Sequence, residues 1–248
     1  MKKEIVENLI LQSLQETSQL IIDGTSRTHI IMPHYRAKIN KEITIRYSEQ
    51  ELKQVFLASL SGNQDLYYSV ETPSKYIYSF KGTKAPKIEK LEKDADHFES
   101  ARFDVSLYDS NNVEDLCCHI EFKHENPQNF NISKDLLKLS HEIIECKYKK
   151  NFFVHYIVRE SKLWKSKSLP SVIKKYRKAI NLKNMNLENL SSVWVYLMFV
   201  NIGDEKETFV YKFNLKNLDD LTLEPTNESI KAWIGNKEIW KNQKYLKN

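Results

Sequence analysis

The chain has 248 residues, 41% of them hydrophobic and 29% charged, with a net charge of +5. That is enough for one large domain with a sizeable core; five glycines argue against a glycine-rich phosphate cradle as the main device, and no run of 18 apolar residues offers a membrane span. The three cysteines, Cys117, Cys118 and Cys146, are odd in number and two are adjacent in an apolar run, which fits free buried thiols and predicts a cytoplasmic protein with no membrane partner.

The N-terminus, MKKEIVENLILQSLQE, opens like a signal peptide, but Glu4, Glu7 and Gln12 interrupt its apolar part. It reads instead as a helix over residues 3–23 with Ile5, Leu9, Ile10 and Leu14 on one face. A strand-like or irregular stretch follows through 29–32 and 39–45. Ser48-Glu49-Gln50-Glu51 then opens a second helix as a capping box, Ser48 capping and Glu51 reaching back, with Leu52, Val55, Phe56 and Leu60 as its apolar face. Residues 67–71 and 76–80 alternate as strands around the break at Thr72-Pro73. The charged stretch 81–99, with Pro86, is expected to be a loop with a short helix.

Next come two short apolar runs, Phe103-Asp104-Val105-Ser106-Leu107 and Leu116 to Phe122, joined by the polar connection Asp109 to Asp115. They read as a β-hairpin. Residues 127–131 are a predicted turn, 132–148 a helix, 152–158 a strand, and 169–182 a basic helix with Pro170 in its first turn. Val193 to Ile202 and Thr208 to Phe213 form a C-terminal hairpin at Gly203-Asp204, and 228–247 a short helix carrying Trp233 and Trp240. The order defines an α/β fold with a mixed central sheet flanked by helices. Without a clear linker, 1–248 is expected to be a single domain, its core at about 48–158, with the N-terminal helix 3–23 and a C-terminal elaboration over 159–248.

Chemistry concentrates in the hairpin. On a strand, Asp104 shares a face with Ser106 and opposes Phe103, Val105 and Leu107; Glu121 shares a face with Lys123 and His119 and opposes Phe122. Spacing of two is what a strand needs to set a carboxylate beside an ammonium. Mg²⁺ (or Mn²⁺) keeps several waters and asks for only one or two carboxylates plus phosphate oxygens. Asp104 and Glu121 can supply these, and Lys123 can orient or deprotonate a water or steady charge on a phosphate. The competing explanation is structural: Lys123 neutralising Glu121 at a sheet edge, at little net energy.

From Lys147 to Lys183 twelve Lys/Arg face the single acid Glu160, a local charge of +11, so the rest of the chain sums to −6. A basic segment beside carboxylates suits a polyanionic substrate; a solvated lysine-rich surface explains any one of these lysines equally well, but the cluster as a whole less well. Lys162, Lys165 and Lys167 around Trp164, and Lys174, Lys175, Arg177 and Lys178, are the candidate backbone contacts. Tyr67, Tyr68, Tyr76 and Tyr78 read as strand packing, with base stacking as the sharper alternative. Glu71 is either a further site acid or a turn residue. His141-Glu142 imitates a zinc-protease motif without its second histidine and reads as helix surface.

Asp104 followed by Glu121-x-Lys123, then a helix and a strand, resembles the PD-(D/E)XK nuclease superfamily over roughly 48–158. The resemblance implies a restriction-endonuclease-like αβββαβ core and metal-dependent phosphodiester hydrolysis. It further implies an acid from the preceding helix: Glu49 or Glu51, of which Glu49 is favoured because it shares the inward face of Leu52 and Phe56. It also implies helper polar residues on the following helix, where Lys134, Asp135 and Lys138 stand. Phe103 precedes Asp104 in place of the proline of the superfamily's name. The segments SEQEL (48–52), YSVETP (68–73), SARFD (100–104) and IEFK (120–123) are similar to those of a prokaryotic group given the same nuclease-like assignment.

The expected function is therefore a Mg²⁺-dependent endonuclease or exonuclease acting on nucleic acid, with DNA the expected substrate and RNA left open. Asp104 and Glu121 would hold the metal, and Asp104, Glu121, Lys123 and Glu49 would be catalytic. Lys134 and Lys138 would join the basic segment in binding nucleic acid. A role in anti-phage defence, as a homodimer or with a larger defence-complex partner, is what the resemblance implies. The alternative is a catalytically silent nucleic-acid-binding or partner-docking module on the same fold, indifferent to metal and sensitive to salt.

Overall fold

Apolar residues alternate along the central strands, and the two alternating sets fill two separate cores. The computed structural model describes residues 2–24, 27–32, 34–36, 43–45, 47–78, 88–90, 101–125, 127–159, 164–182, 185, 187–203 and 206–220. Among them are the helices α1 (Lys2–Asp23), α2 (Glu49–Ser61), α3 (Asn129–His141), α4 (Trp164–Leu182) and α5 (Leu187–Leu190). The strands are β1 (His34–Arg36), β2 (Ile43–Ile45), β3 (Tyr67–Pro73), β4 (Tyr76–Tyr78), β5 (Ile88–Lys90), β6 (Arg102–Tyr108), β7 (Leu116–His124), β8 (Asn151–Arg159), β9 (Val193–Asn201) and β10 (Glu207–Asn214).

A six-stranded mixed sheet runs in the order β10-β9-β8-β7-β6-β3. β3, β6 and β7 form an antiparallel meander, β7, β8 and β9 are parallel, and β10 returns antiparallel to β9 as the expected C-terminal hairpin. α3 and α4 make the two crossovers that parallel neighbours require. Phe152, Val154 and Tyr156 of β8 pack with α1 and α2, whereas Phe153 and Ile157 pack with α3 and α4. The fold is thus α/β, a mixed sheet flanked by helices on both faces. Among the described residues no helix is long and apolar enough to cross a membrane.

Several local expectations are corrected. α1 buries more than a stripe: Leu11 is as buried as Leu9 and Leu14, because the helix is wedged against both α2 and β9. The capping box does not close. Ser48 is extended at the N-cap, but its hydroxyl donates to the Glu51 carboxylate instead of accepting from the backbone. Of the stretch 81–99 only 88–90 is described, and it is a strand paired to β4. α3 starts at Asn129 and stops at His141, where a 3-10 turn (Glu142–Glu145) takes over. α4 starts at Trp164, so Pro170 lies inside it. Glu142 is buried, accepting from the Lys75 N–H at 3.1 Å and the Tyr78 hydroxyl at 3.0 Å; burial pushes its pKa up to about 7. All three cysteines are free and buried, and burial pushes Cys117 and Cys146 up to about 12. Trp233, Trp240, Lys162 and the residues 91–99 lie outside the described residues.

Candidate active site

The register between β6 and β7 pairs Ser106 with His119 and Val105 with Ile120, which sets Asp104 level with Glu121 at the next step. There Oδ2 of Asp104 accepts from the Phe122 N–H at 2.8 Å. On the other side, β3 pairs Val70 with Val105 and Thr72 with Phe103, so Glu71 is level with Asp104 too. Three adjacent strands therefore carry one row of acids: Glu71, Asp104 and Glu121. The row lies toward the C-terminal end of β7, the first strand of the parallel half, which is where open α/β sheets take ligands.

The expected faces hold on β7. Phe122 points to α2, its ring 5.5 Å from that of Phe56, while Glu121 and Lys123 turn to side chains of α3. On β6 the alternation slips. Val105 and Leu107 enter the core under α1 and α2, but Phe103 enters the other and stacks on His119 at 3.8 Å. The slip sits at Asp104, which consequently meets the β7 backbone with one oxygen and α2 with the other.

Two lysines neutralise the row, and a third pairs with the acids beside it. Lys53 of α2 reaches Oε1 of Glu71 at 2.5 Å and Oδ1 of Asp104 at 3.3 Å. Lys138 of α3 donates to Oε1 of Glu121 at 2.6 Å, to the Arg102 carbonyl at 2.6 Å and to Oδ1 of Asp135 at 3.1 Å. Those acceptors use its three protons, and its side chain is only 6% exposed. Lys138 is thus a buried partner of Glu121 and cannot contact nucleic acid, correcting the sequence expectation. Lys123 lies 3.1 Å from Oδ2 of Asp135 and 3.7 Å from Oε2 of Glu49. Glu49 is the helix acid that reaches the site; Glu51 is occupied by Ser48.

The electrostatics follow from the count. Among the described ion pairs, five carboxylates (Glu49, Glu71, Asp104, Glu121, Asp135) meet three ammonium groups, so acids outnumber the lysines paired with them. Burial, then Asp135 and Asp104, push Glu121 well above the usual carboxylate range despite Lys138. Burial, reinforced by Asp104 and Asp135, also raises Glu49. Burial alone would lower Lys123, but Asp135, Glu121, Glu49 and Asp104 outweigh it and hold the ammonium firmly charged. Among the described residues no three His, Cys, Asp or Glu side chains form a ready-made metal cage; lysines hold the carboxylates of the row. The donors nonetheless suit Mg²⁺ or Mn²⁺: two carboxylates on adjacent strands, hard oxygen ligands, among acids that outnumber the lysines paired with them.

An open cleft of about 260 Å³ lies over Glu49, Lys123, Asp135, Asn131, Lys134 and Pro127. Lys134 lines it, its ammonium 5.8 Å from the Phe130 ring. Lys175 of α4 donates to the Pro127 carbonyl at 2.7 Å, tying the basic helix to the cleft rim. Lys174, Arg177 and Lys178 are exposed along α4. The side chains of Lys165 and Lys167 lie outside the described residues. Sequence reasoning missed Lys53, though it follows Glu49 by four on the inward face of the same helix. No protein-family model matches this chain, nor does any curated protein or solved structure.

Proposed function

We propose that this chain is a metal-dependent nuclease on a restriction-endonuclease-like αβββαβ core, hydrolysing phosphodiester bonds, with DNA the favoured substrate. The supporting order is α2, β3, β6, β7, α3 and β8. One observation carries the reading. Glu49, Asp104, Glu121 and Lys123, drawn from three separate stretches of sequence, meet in one ion-pair and charge network beside a cleft. A bound divalent cation would neutralise phosphate charge and supply an activated water. Asp104 and Glu121 would hold it. Lys123, already protonated, faces the charge that grows on the phosphate and does not serve as a base. Glu49, at the cleft with a raised carboxyl, is the group placed to take and return a proton. Lys134 and the exposed face of α4 hold the backbone of the nucleic acid. A place in anti-phage defence is proposed on the resemblance alone.

A catalytically silent binding module is the second reading. It is favoured by Lys138, which neutralises Glu121 without any metal. The deciding experiment incubates the protein with supercoiled, linear and single-stranded DNA and with RNA, in Mg²⁺, Mn²⁺ or EDTA. Metal-dependent cutting lost in Glu121→Ala and Lys123→Ala supports the nuclease. Folded protein that binds nucleic acid, never cuts it and ignores EDTA supports the module.

A further inference from the structure

Lys53 is the least expected residue of the site. It is a lysine with a 7% exposed side chain on the inward face of α2, one turn after Glu49. It reaches across to the sheet and divides its ammonium between two carboxylates. One of these, Asp104, belongs to the proposed metal site. The other, Glu71, is a side chain 52% exposed on the edge strand.

Glu71 is held in an unusual backbone state. Its φ is +50°, in the left-handed region that non-glycine residues in strands rarely adopt. The pairs Val70–Val105 and Thr72–Phe103 flank it, so the ladder breaks at this one residue, level with Asp104. Ser69 and Thr72 hydroxyls meet at 2.6 Å across the kink and brace it. A regular strand would carry the Glu71 side chain along the pleat; the kinked backbone delivers it to Lys53. Strain of this kind persists only where its surroundings impose it, and it collects at functional sites.

We propose that Lys53 and Glu71 form a counter-ion latch on Asp104, in which Lys53 is a positioning residue that holds Oδ1 in the bare site and Glu71 is the second seat that draws the ammonium aside. The inference rests on the nuclease reading of the same site. Lys53 competes with any cation for Asp104 Oδ1. Glu71 lowers the cost of that displacement, because the ammonium keeps a carboxylate partner and never becomes an unpaired buried charge. The row thus contains one acid for the metal's lysine as well as two for the metal.

The test is Mn²⁺ binding to the full chain, followed by loss of the free-ion electron paramagnetic resonance signal, with thermal melting as the folding control. Lys53→Met should bind Mn²⁺ about tenfold more tightly, and Glu71→Gln about tenfold more weakly. Glu71→Asp keeps the charge and suits the left-handed backbone but shortens the reach; it should weaken binding as Glu71→Gln does. Glu71→Asp behaving like the parent overturns the latch in favour of a general field effect. Lys53→Met and Glu71→Gln both weakening binding, or neither changing it, overturns it in favour of a structural role. If Lys53→Met does not fold, the two Glu71 variants decide alone. A parent protein that takes up no Mn²⁺ overturns the nuclease reading together with the latch; a parent that binds, with variants that disobey, overturns the latch alone.

Discussion

Among the described residues, two part-buried networks of carboxylates and lysines are balanced in opposite senses. Under α1, Glu7 receives Lys150 at 2.8 Å together with Lys212, while Tyr196 donates to it at 3.3 Å. Both ammonium groups also lie over the Trp194 ring, at 4.5 and 5.2 Å. Here cations outnumber the acid, and Glu7 is lowered: burial works against it, but Lys150 and Lys212 prevail. At the row on β3, β6 and β7 acids outnumber cations, and Glu121 and Glu49 are raised. The first network gives Glu7 more cations than it needs and joins α1 to β9, β10 and the residue just before β8. The second is short of positive charge and lies beside a cleft. A carboxylate with more cations than it needs is held ionised and joins its neighbours; carboxylates short of cations beside a cleft are candidates for a ligand of positive charge.

The sharpest break of that comparison is activity. Glu121→Ala and Lys123→Ala should each reduce metal-dependent cleavage by about 10²-fold or more, the scale of losing one charge-stabilising group, in the assay described above. Glu7→Ala should leave cleavage intact. It should instead lower unfolding free energy in urea by about 2 kcal/mol, since two part-buried ammonium groups lose their acceptor.

Stability against pH should separate the same two signs. Glu7, lowered from 4.5, contributes stability that is present above 4.5 and lost as pH falls below it. Glu121 is raised, so its contribution is present below 4.5 and lost as pH climbs through its folded value. Glu142, raised to about 7, acts in the same direction as Glu121 and loses its contribution through pH 7. Metal-free protein should therefore melt several degrees lower at pH 8 than at pH 5.5. Glu142→Gln should flatten part of that fall, and Mn²⁺ should reverse the part that belongs to Glu121. An alkaline fall that Mn²⁺ leaves untouched would mean that the row is only structural.

The smallest effects belong to the surface of α4. Lys174→Ala and Lys178→Ala should weaken nucleic-acid binding evenly across sequences, each lowering the salt-dependence slope by about 1, with no change in melting temperature. Fluorescence anisotropy at several salt concentrations reads this directly.

Much of this site was legible because strand geometry is periodic and local. A spacing of two set Glu121 beside Lys123, and inward placement on the helix selected Glu49 over Glu51; α2 and β7 obey both. What was not legible depends on partners far apart in sequence. Lys138 looked like a surface contact, but its fate is decided by the Arg102 carbonyl and by Glu121, 36 and 17 residues away. Lys53 was not singled out, because its partners Glu71 and Asp104 lie 18 and 51 residues away. The face of Phe103 could not be foreseen from alternation, because the slip at Asp104 coincides with its side chain bonding to the β7 backbone, a partner 18 residues away.

By itself, then, the sequence determined the α/β order of elements, the two apolar sets of the central strands and the carboxylates of the hairpin, since periodicity and residue type are enough for these. Only the tertiary structure decided which lysine neutralises which acid, that Glu71 joins the row through a left-handed kink, and that acids outnumber the lysines paired with them. Charge balance is a property of neighbours in space, and burial is what makes an imbalance matter.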